Sequence, residues 1–131
     1  MPGRETPMWA ILGLGNPLPE YAATRHNIGH SVVEEMLRRT KSRARRKGKT
    51  LAATSKLGGV PFILAKNSTY VNESGLAAEW LVERMHISSH SLLVVCDDIN
   101  LPVGRLRLRR SGSDGGHKGL RSIIAALGTT E

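Results

Sequence analysis

Residues 24–30 read TRHNIGH, and there a histidine, His26, stands beside an asparagine, Asn27. Histidine is the side chain whose ordinary titration range falls near neutral pH, so it suits a site that needs a base for water. Such a base works best with a carboxylate on its far ring nitrogen, which fixes the tautomer and stabilises the imidazolium. Asp97, near the end of SLLVVCDD (91–98), is a suitable partner for His26. Neutral amides can then hold a substrate and its attacking water without adding charge, and Asn16, Asn27 and Asn72 are available for that work. The set points to hydrolysis by activated water. Ser74 and Cys96 lie in no nucleophile-elbow sequence, and Cys96 belongs to a buried apolar run where core packing accounts for it.

Other chemistries fit less well. GLGNPL has Gly13-x-Gly15 but Leu18 where a third glycine would open a helix, and no Walker sequence is present, which argues against a nucleotide loop. Asp97 and Asp98 are adjacent, so on a strand they point to opposite faces and do not share one ion. Cysteine and histidine never fall at zinc spacing, so no structural zinc site is expected. Each polar residue also has a plainer role. Asn72 suits a helix N-cap, His117 can pin its glycine-rich loop to the backbone, and His30, His86 and His90 read as exposed.

The elements that must position these residues follow from periodicity. MWAILGLG (8–15) reads as a buried first strand. Ile28, Val32, Val33, Met36 and Leu37 recur at helical spacing, predicting a helix from about Asn27 to Thr40, with Thr24 or Asn27 near its start. KTLAATSKL and VPFILAKN, joined at Gly58-Gly59, read as a β-hairpin. Leu76, Ala77, Trp80, Leu81 and Met85 mark a second helix, and SLLVVCDD a further buried strand. RLRLRR (105–110) alternates, which puts Arg105, Arg107 and Arg109 on one face of a strand. LRSIIAALG (120–128) is a short helix closed by Gly128. The order β, α, ββ, α, β, β, α predicts an α/β fold, a three-layer sandwich with a mixed central β-sheet flanked by helices. The polar clusters all fall at element ends, where open α/β sheets build their sites.

Composition narrows the partner. The 131 residues suit one domain, 1–131, with a mainly aliphatic core, since aromatics are only 4 %. One cysteine allows no disulfide framework and fits a reducing, cytoplasmic setting; no apolar run reaches membrane-span length and no signal core precedes the first strand. The formal net charge is +8. No acidic residue falls between Met36 and Asn72, and RRTKSRARRKGK (38–49) carries eight basic residues in twelve. A polyanion is the simplest partner for that bias. Aromatics do not interleave with the charges, so phosphate contact rather than base stacking is the expected mode.

GLGNP followed by YAATRHNIG, then TYVNESG, CDDINLPVGRLRLR and GSDGGHKGLRSI closely resembles the bacterial-type peptidyl-tRNA hydrolase family, in order and spacing across nearly the whole chain. The resemblance implies cleavage of the ester between peptide and tRNA, by a monomer without cofactor. It implies that His26 activates water and Asp97 holds and polarises His26. Asn16 and Asn72 would bind the peptide end and position the scissile carbonyl, Tyr21 would contact the terminal ribose and adenosine, and Asn27 would support the His26 loop. Arg107 and Arg109, with Arg105 beside them, fall where the family meets tRNA phosphate. The chain departs from the pattern in three places. Lys118 replaces an asparagine that positions water, and a cation there would help an oxyanion or a phosphate and favour neutral His26. Asn100 replaces an aspartate, and Asn67 a proline. Family members also continue with another strand and helices, so a shortened chain is expected. The alternatives are a non-catalytic RNA-binding relative, like a splicing factor that kept the fold, or an inactive fragment.

Overall fold

The computed structural model describes residues 8–15, 27–68, 73–97 and 117–128. Within them the order is β1 (Trp9–Gly13), α1 (Ile28–Thr40), β2 (Arg45–Lys47), β3 (Thr50–Leu57), β4 (Val60–Asn67), α2 (Ser74–Glu83), β5 (Leu92–Val95) and α3 (Lys118–Leu127). A short 3-10 turn at Ser89–Ser91 leads into β5. The five strands form one mixed sheet in the order β2-β3-β4-β1-β5. β1 pairs parallel with β4 on one side and with β5 on the other, while β3 pairs antiparallel with β4 and with β2.

Alternation along β1 and β4 builds the layers. Ala10, Leu12 and Leu14 of the β1 segment join Ile63 and Ala65 of β4 in a cluster with Ala77, Ala78 and Leu81 of α2 and Ile123 of α3. The intervening residues Ile11, Phe62 and Leu64 pack instead with Val33, Met36 and Leu37 of α1. The sheet therefore lies between α1 and the α2–α3 pair, the expected sandwich. α1 comes very close to the sheet because two glycines face each other. A Cβ on Gly13 would lie 2.1 Å from the Gly29 carbonyl oxygen, and one on Gly29 would lie 2.3 Å from the Val95 oxygen and 2.4 Å from the Leu14 backbone. No side chain fits there, so the first turn of α1 rests on the C-terminal ends of β1 and β5.

The first helix and the hairpin lie where the sequence pattern places them. Gly58 and Gly59 have φ of +57° and +81°, the left-handed pair that a tight two-residue hairpin turn needs. α3 begins two residues before the expected start. The basic run 38–49 differs from expectation: it reads as a helix end and loop, yet Arg45–Lys47 forms the edge strand β2. All three of its residues are exposed, so no apolar alternation announces it. The pairing of Lys47 with Thr50 and Arg45 with Ala52 makes the strand. SLLVVCDD is a shorter strand than expected and ends at Val95. The expected strand 105–110 lies outside the described residues. Among the described residues no helix is long and apolar enough to cross a membrane.

Candidate active site

The C-terminal ends of β4, β1 and β5 share one edge of the sheet, because the three strands run parallel. α1 leads away from β1 on one face and α2 and α3 lie on the other, so β1 and β5 flank the point where the winding reverses. Clefts in α/β sheets open at such a reversal, beyond the carboxyl ends of the strands.

Asp97 lies two residues beyond β5, and its Oδ1 accepts a hydrogen bond from His117 Nε2 at 2.9 Å. Both side chains are mostly shielded, at 12 % and 15 % exposure, which strengthens the contact relative to one in water. His117 is the N-cap of α3, and its Nδ1 accepts from the backbone N–H of Gly119 at 3.0 Å and of Leu120 at 3.3 Å. A ring nitrogen that accepts two N–H donors carries no proton, so the proton sits on Nε2 and points at Asp97. His117 thus pins its segment to the backbone, as expected, and also engages the aspartate. The histidine that Asp97 meets in the described residues is His117. The expected partner His26 lies outside them, as do Asn16, Tyr21, Asn72, Asp98, Arg105, Arg107 and Arg109.

Lys118 is the exposed first residue of α3. A cation at a helix N-terminus opposes the helix dipole, so helix stability does not account for it. Asn27 is buried at the N-cap of α1 without a side-chain capping bond to that helix. At α2 the N-cap position belongs to Glu73, which makes no side-chain capping bond, and Asn72 lies outside the described residues.

Sequence reasoning missed a polar cluster at the same edge. His30 reads as an exposed helix residue but is buried, at 7 % exposure, whereas His86 and His90 are exposed as expected. His30 Nε2 lies 2.9 Å from Asn67 Oδ1 at the end of β4. The same oxygen accepts from Gly15 N–H at 3.0 Å, and Asn67 Nδ2 donates to the Gly15 carbonyl at 2.7 Å. An oxygen that only accepts requires His30 to donate through Nε2. Burial is the main cause that lowers the His30 pKa below its usual 6.5; the Asn67 hydrogen bond and Glu34 oppose it, and Lys66 adds to it. The spacing held the clue: His30, Val33 and Leu37 stand at i, i+3 and i+7, one helix face. Asn67, where the resemblance leads to proline, supplies a side-chain amide that proline lacks.

A mixed-sheet α/β sandwich with a polar cluster at the winding reversal defines the class. The chain belongs to the peptidyl-tRNA hydrolase family, whose model matches residues 10–131. It is 46 % identical over 125 residues to a peptidyl-tRNA hydrolase of Desulforudis audaxviator, covering 95 % of this chain and 64 % of that protein. It is 44 % identical over 124 residues to one from Aquifex aeolicus, covering 91 % and 62 %. The crystal structure of peptidyl-tRNA hydrolase from Acinetobacter baumannii superposes with a TM-score of 0.88 at 30 % identity, over 94 % of this chain and 64 % of that one. The chain therefore spans just under two thirds of the length of these relatives.

Proposed function

We propose that the chain hydrolyses the ester joining a peptide to the terminal ribose of tRNA, with His26 as base and Asp97 as its carboxylate. The observation that carries this reading is the convergence of chain ends on one sheet edge. Asn16 is bonded to Gly15 after β1, His26 to Asn27 before α1, and Asn72 to Glu73 before α2, while Asp97 follows β5. Family membership and the relatives' names supply the substrate class.

In the proposed reaction neutral His26 takes a proton as water attacks the ester carbonyl. A carbon–oxygen bond forms to water, the bond to the ribose oxygen breaks, and His26 returns the proton to that oxygen. Asp97 balances the imidazolium in between. A carboxylate has about four lone-pair sites, so holding His117 is compatible with holding a second imidazole. Asn16 and Asn72 orient the peptide end, Tyr21 meets the terminal nucleoside, and Asn27 and His117 brace the segments that carry His26 and Asp97. Lys118, Arg105, Arg107 and Arg109 supply positive charge for the phosphates. The proposal treats residues 1–131 as one domain acting as a monomer in the cytoplasm.

The test is single-turnover cleavage of a peptidyl-tRNA by this chain beside His26→Ala. Loss of a general base costs about 10²- to 10⁴-fold, and a loss of that size is expected. Equal cleavage by both proteins would remove His26 from the mechanism. The exposed basic strand β2 favours a second reading, RNA binding without catalysis; tRNA bound and left intact by the unaltered chain would select it.

A further inference from the structure

The buried cluster of His30, Asn67 and Gly15 is not used by the chemistry above, yet it holds the residue that precedes Asn16. Asn67 behaves as a peptide group in side-chain form. Its amide oxygen accepts from Gly15 N–H at 3.0 Å and its amide nitrogen donates to Gly15 C=O at 2.7 Å, so both backbone groups of one residue are clasped. The clasp continues the parallel pairing of β1 with β4 beyond its last rung, Gly13 with Lys66. His30 then fixes the amide itself, because its Nε2 bonds the same oxygen at 2.9 Å. With that oxygen committed to two donors, the amide has one orientation, and its nitrogen must face the Gly15 carbonyl. Asn67 is 1 % exposed and His30 7 %, so water does not compete for these bonds.

The space is filled as well as bonded. A Cβ on Gly15 would lie 2.7 Å from His30 Cγ and 2.8 Å from Asn27 Oδ1. Only glycine lets the backbone enter between α1 and Asn67. The Gly15 carbonyl and the Asn16 nitrogen belong to one planar peptide unit. Fixing the carbonyl therefore fixes the plane from which Asn16 departs.

We propose that His30 and Asn67 are positioning residues that orient the Gly15–Asn16 peptide, and through it the asparagine that holds the peptide end of the substrate. This rests on the role of Asn16 proposed above. Neither side chain needs to touch substrate. The charged groups near His30 are Lys66 and Glu34, which pair with each other at 2.7 Å. The clasp therefore works with a neutral imidazole that carries its proton on Nε2.

The experiment compares the full chain with His30→Leu and His30→Gln, reading peptidyl-tRNA hydrolysis and hydrogen exchange at the Gly15 amide. Leucine fills the space and cannot donate; glutamine carries an amide that can. Small misplacements of a substrate-holding group cost up to about a hundredfold, so kcat is expected to fall roughly ten- to a hundredfold in His30→Leu. KM, set by phosphate contacts elsewhere, should stay within about twofold, and His30→Gln should recover most of the loss. The Gly15 amide should exchange about tenfold faster in His30→Leu, as one weakened hydrogen bond implies. Unchanged Gly15 protection in His30→Leu overturns the proposal, whether or not the unaltered chain cleaves ester. Exchange accelerated across the whole sheet, with KM and kcat degrading together and no recovery by glutamine, also overturns it, since that marks a core contact only. If His30→Leu does not fold, Asn67→Ser, which removes the clasp on the carbonyl, is read against the same outcomes. Failure of the unaltered chain to cleave, with Gly15 protection lost selectively in His30→Leu, sinks the hydrolase reading and leaves the positioning of this peptide standing.

Discussion

Two histidines at one sheet edge show how little a residue's type says before its neighbours are known. His117 accepts on Nδ1 from the first turn of α3 and points its proton at Asp97. His30 is buried against Asn67 and held below its usual pKa mainly by loss of water, with Lys66 adding to that and Glu34 and the Asn67 bond opposing. The consequence for stability has a definite sign. The unfolded chain takes up a proton on His30 as pH falls through 6.5, and the folded chain resists until lower pH. Between the two values the unfolded state holds the extra proton, so stability is lost as pH falls below 6.5. Urea denaturation across that range should show the unaltered chain losing stability relative to His30→Gln, which has no group to titrate there. Parallel pH profiles for the two proteins would mean that His30 protonates equally in both states. The signal for His30 was present in its helical spacing and masked by its polarity. No spacing rule pairs it with Asn67, because that pairing depends on where the ends of α1 and β4 meet.

Among the elements, α1 and the β3–β4 hairpin were the most legible. Val33, Met36 and Leu37 repeat with the helical period, and Gly58-Gly59 allows the positive φ of the turn. β2 was illegible for the opposite reason. Its Arg-Arg-Lys sequence is exposed throughout, and only the register of β3 gives it a strand conformation. The site was partly legible. Asp97, His117 and Lys118 fall at element ends as expected, but the Asp97–His117 bond depends on how α3 packs. The helix–sheet contact most sensitive to change is at Gly29. Gly29→Ala would drive a Cβ into backbone atoms of Leu14 and Val95, which are not flexible side-chain ends. Overpacking of this kind costs about 1–3 kcal/mol, and thermal or urea denaturation should register a loss in that range. Alanine has the higher helix propensity, so a variant as stable as the original would show that α1 does not rest on these strand ends.

Across the whole molecule, charge is distributed with a direction. Arg38 and Arg39 both bond to Glu35 and hold its carboxyl down to about 2. Lys41, Arg43, Arg45, Arg46 and Lys47 are exposed. β2 is four strands from β5, about 19 Å at ordinary strand spacing. Its Lys47 end pairs with Thr50, which in turn pairs with Asn67, so the basic strand rises to the edge where Asp97 lies. A polyanion reaching that edge can lie along both. If it is tRNA, the logarithm of affinity should fall linearly with the logarithm of salt, with a slope of about −0.7 to −0.9 per phosphate contacted. Replacing Arg45, Arg46 and Lys47 with glutamine should flatten the slope. An unchanged slope would remove β2 from the interface.

The placement of β1 also governs the order in which the structure can assemble. Among the described strands β1 is made first and is the inner partner of two later ones, and the Asn67 clasp on Gly15 spans 52 residues of sequence. The β3–β4 hairpin can close on itself as soon as Leu57 and Val60 are both present. β1 cannot, since both its neighbours come from downstream and closing such long loops is slow. During synthesis its apolar residues wait with both edges open, the condition in which a nascent strand is most prone to pair with the wrong chain. The clasp at Gly15 can then form only once the hairpin has supplied β4 and its Asn67.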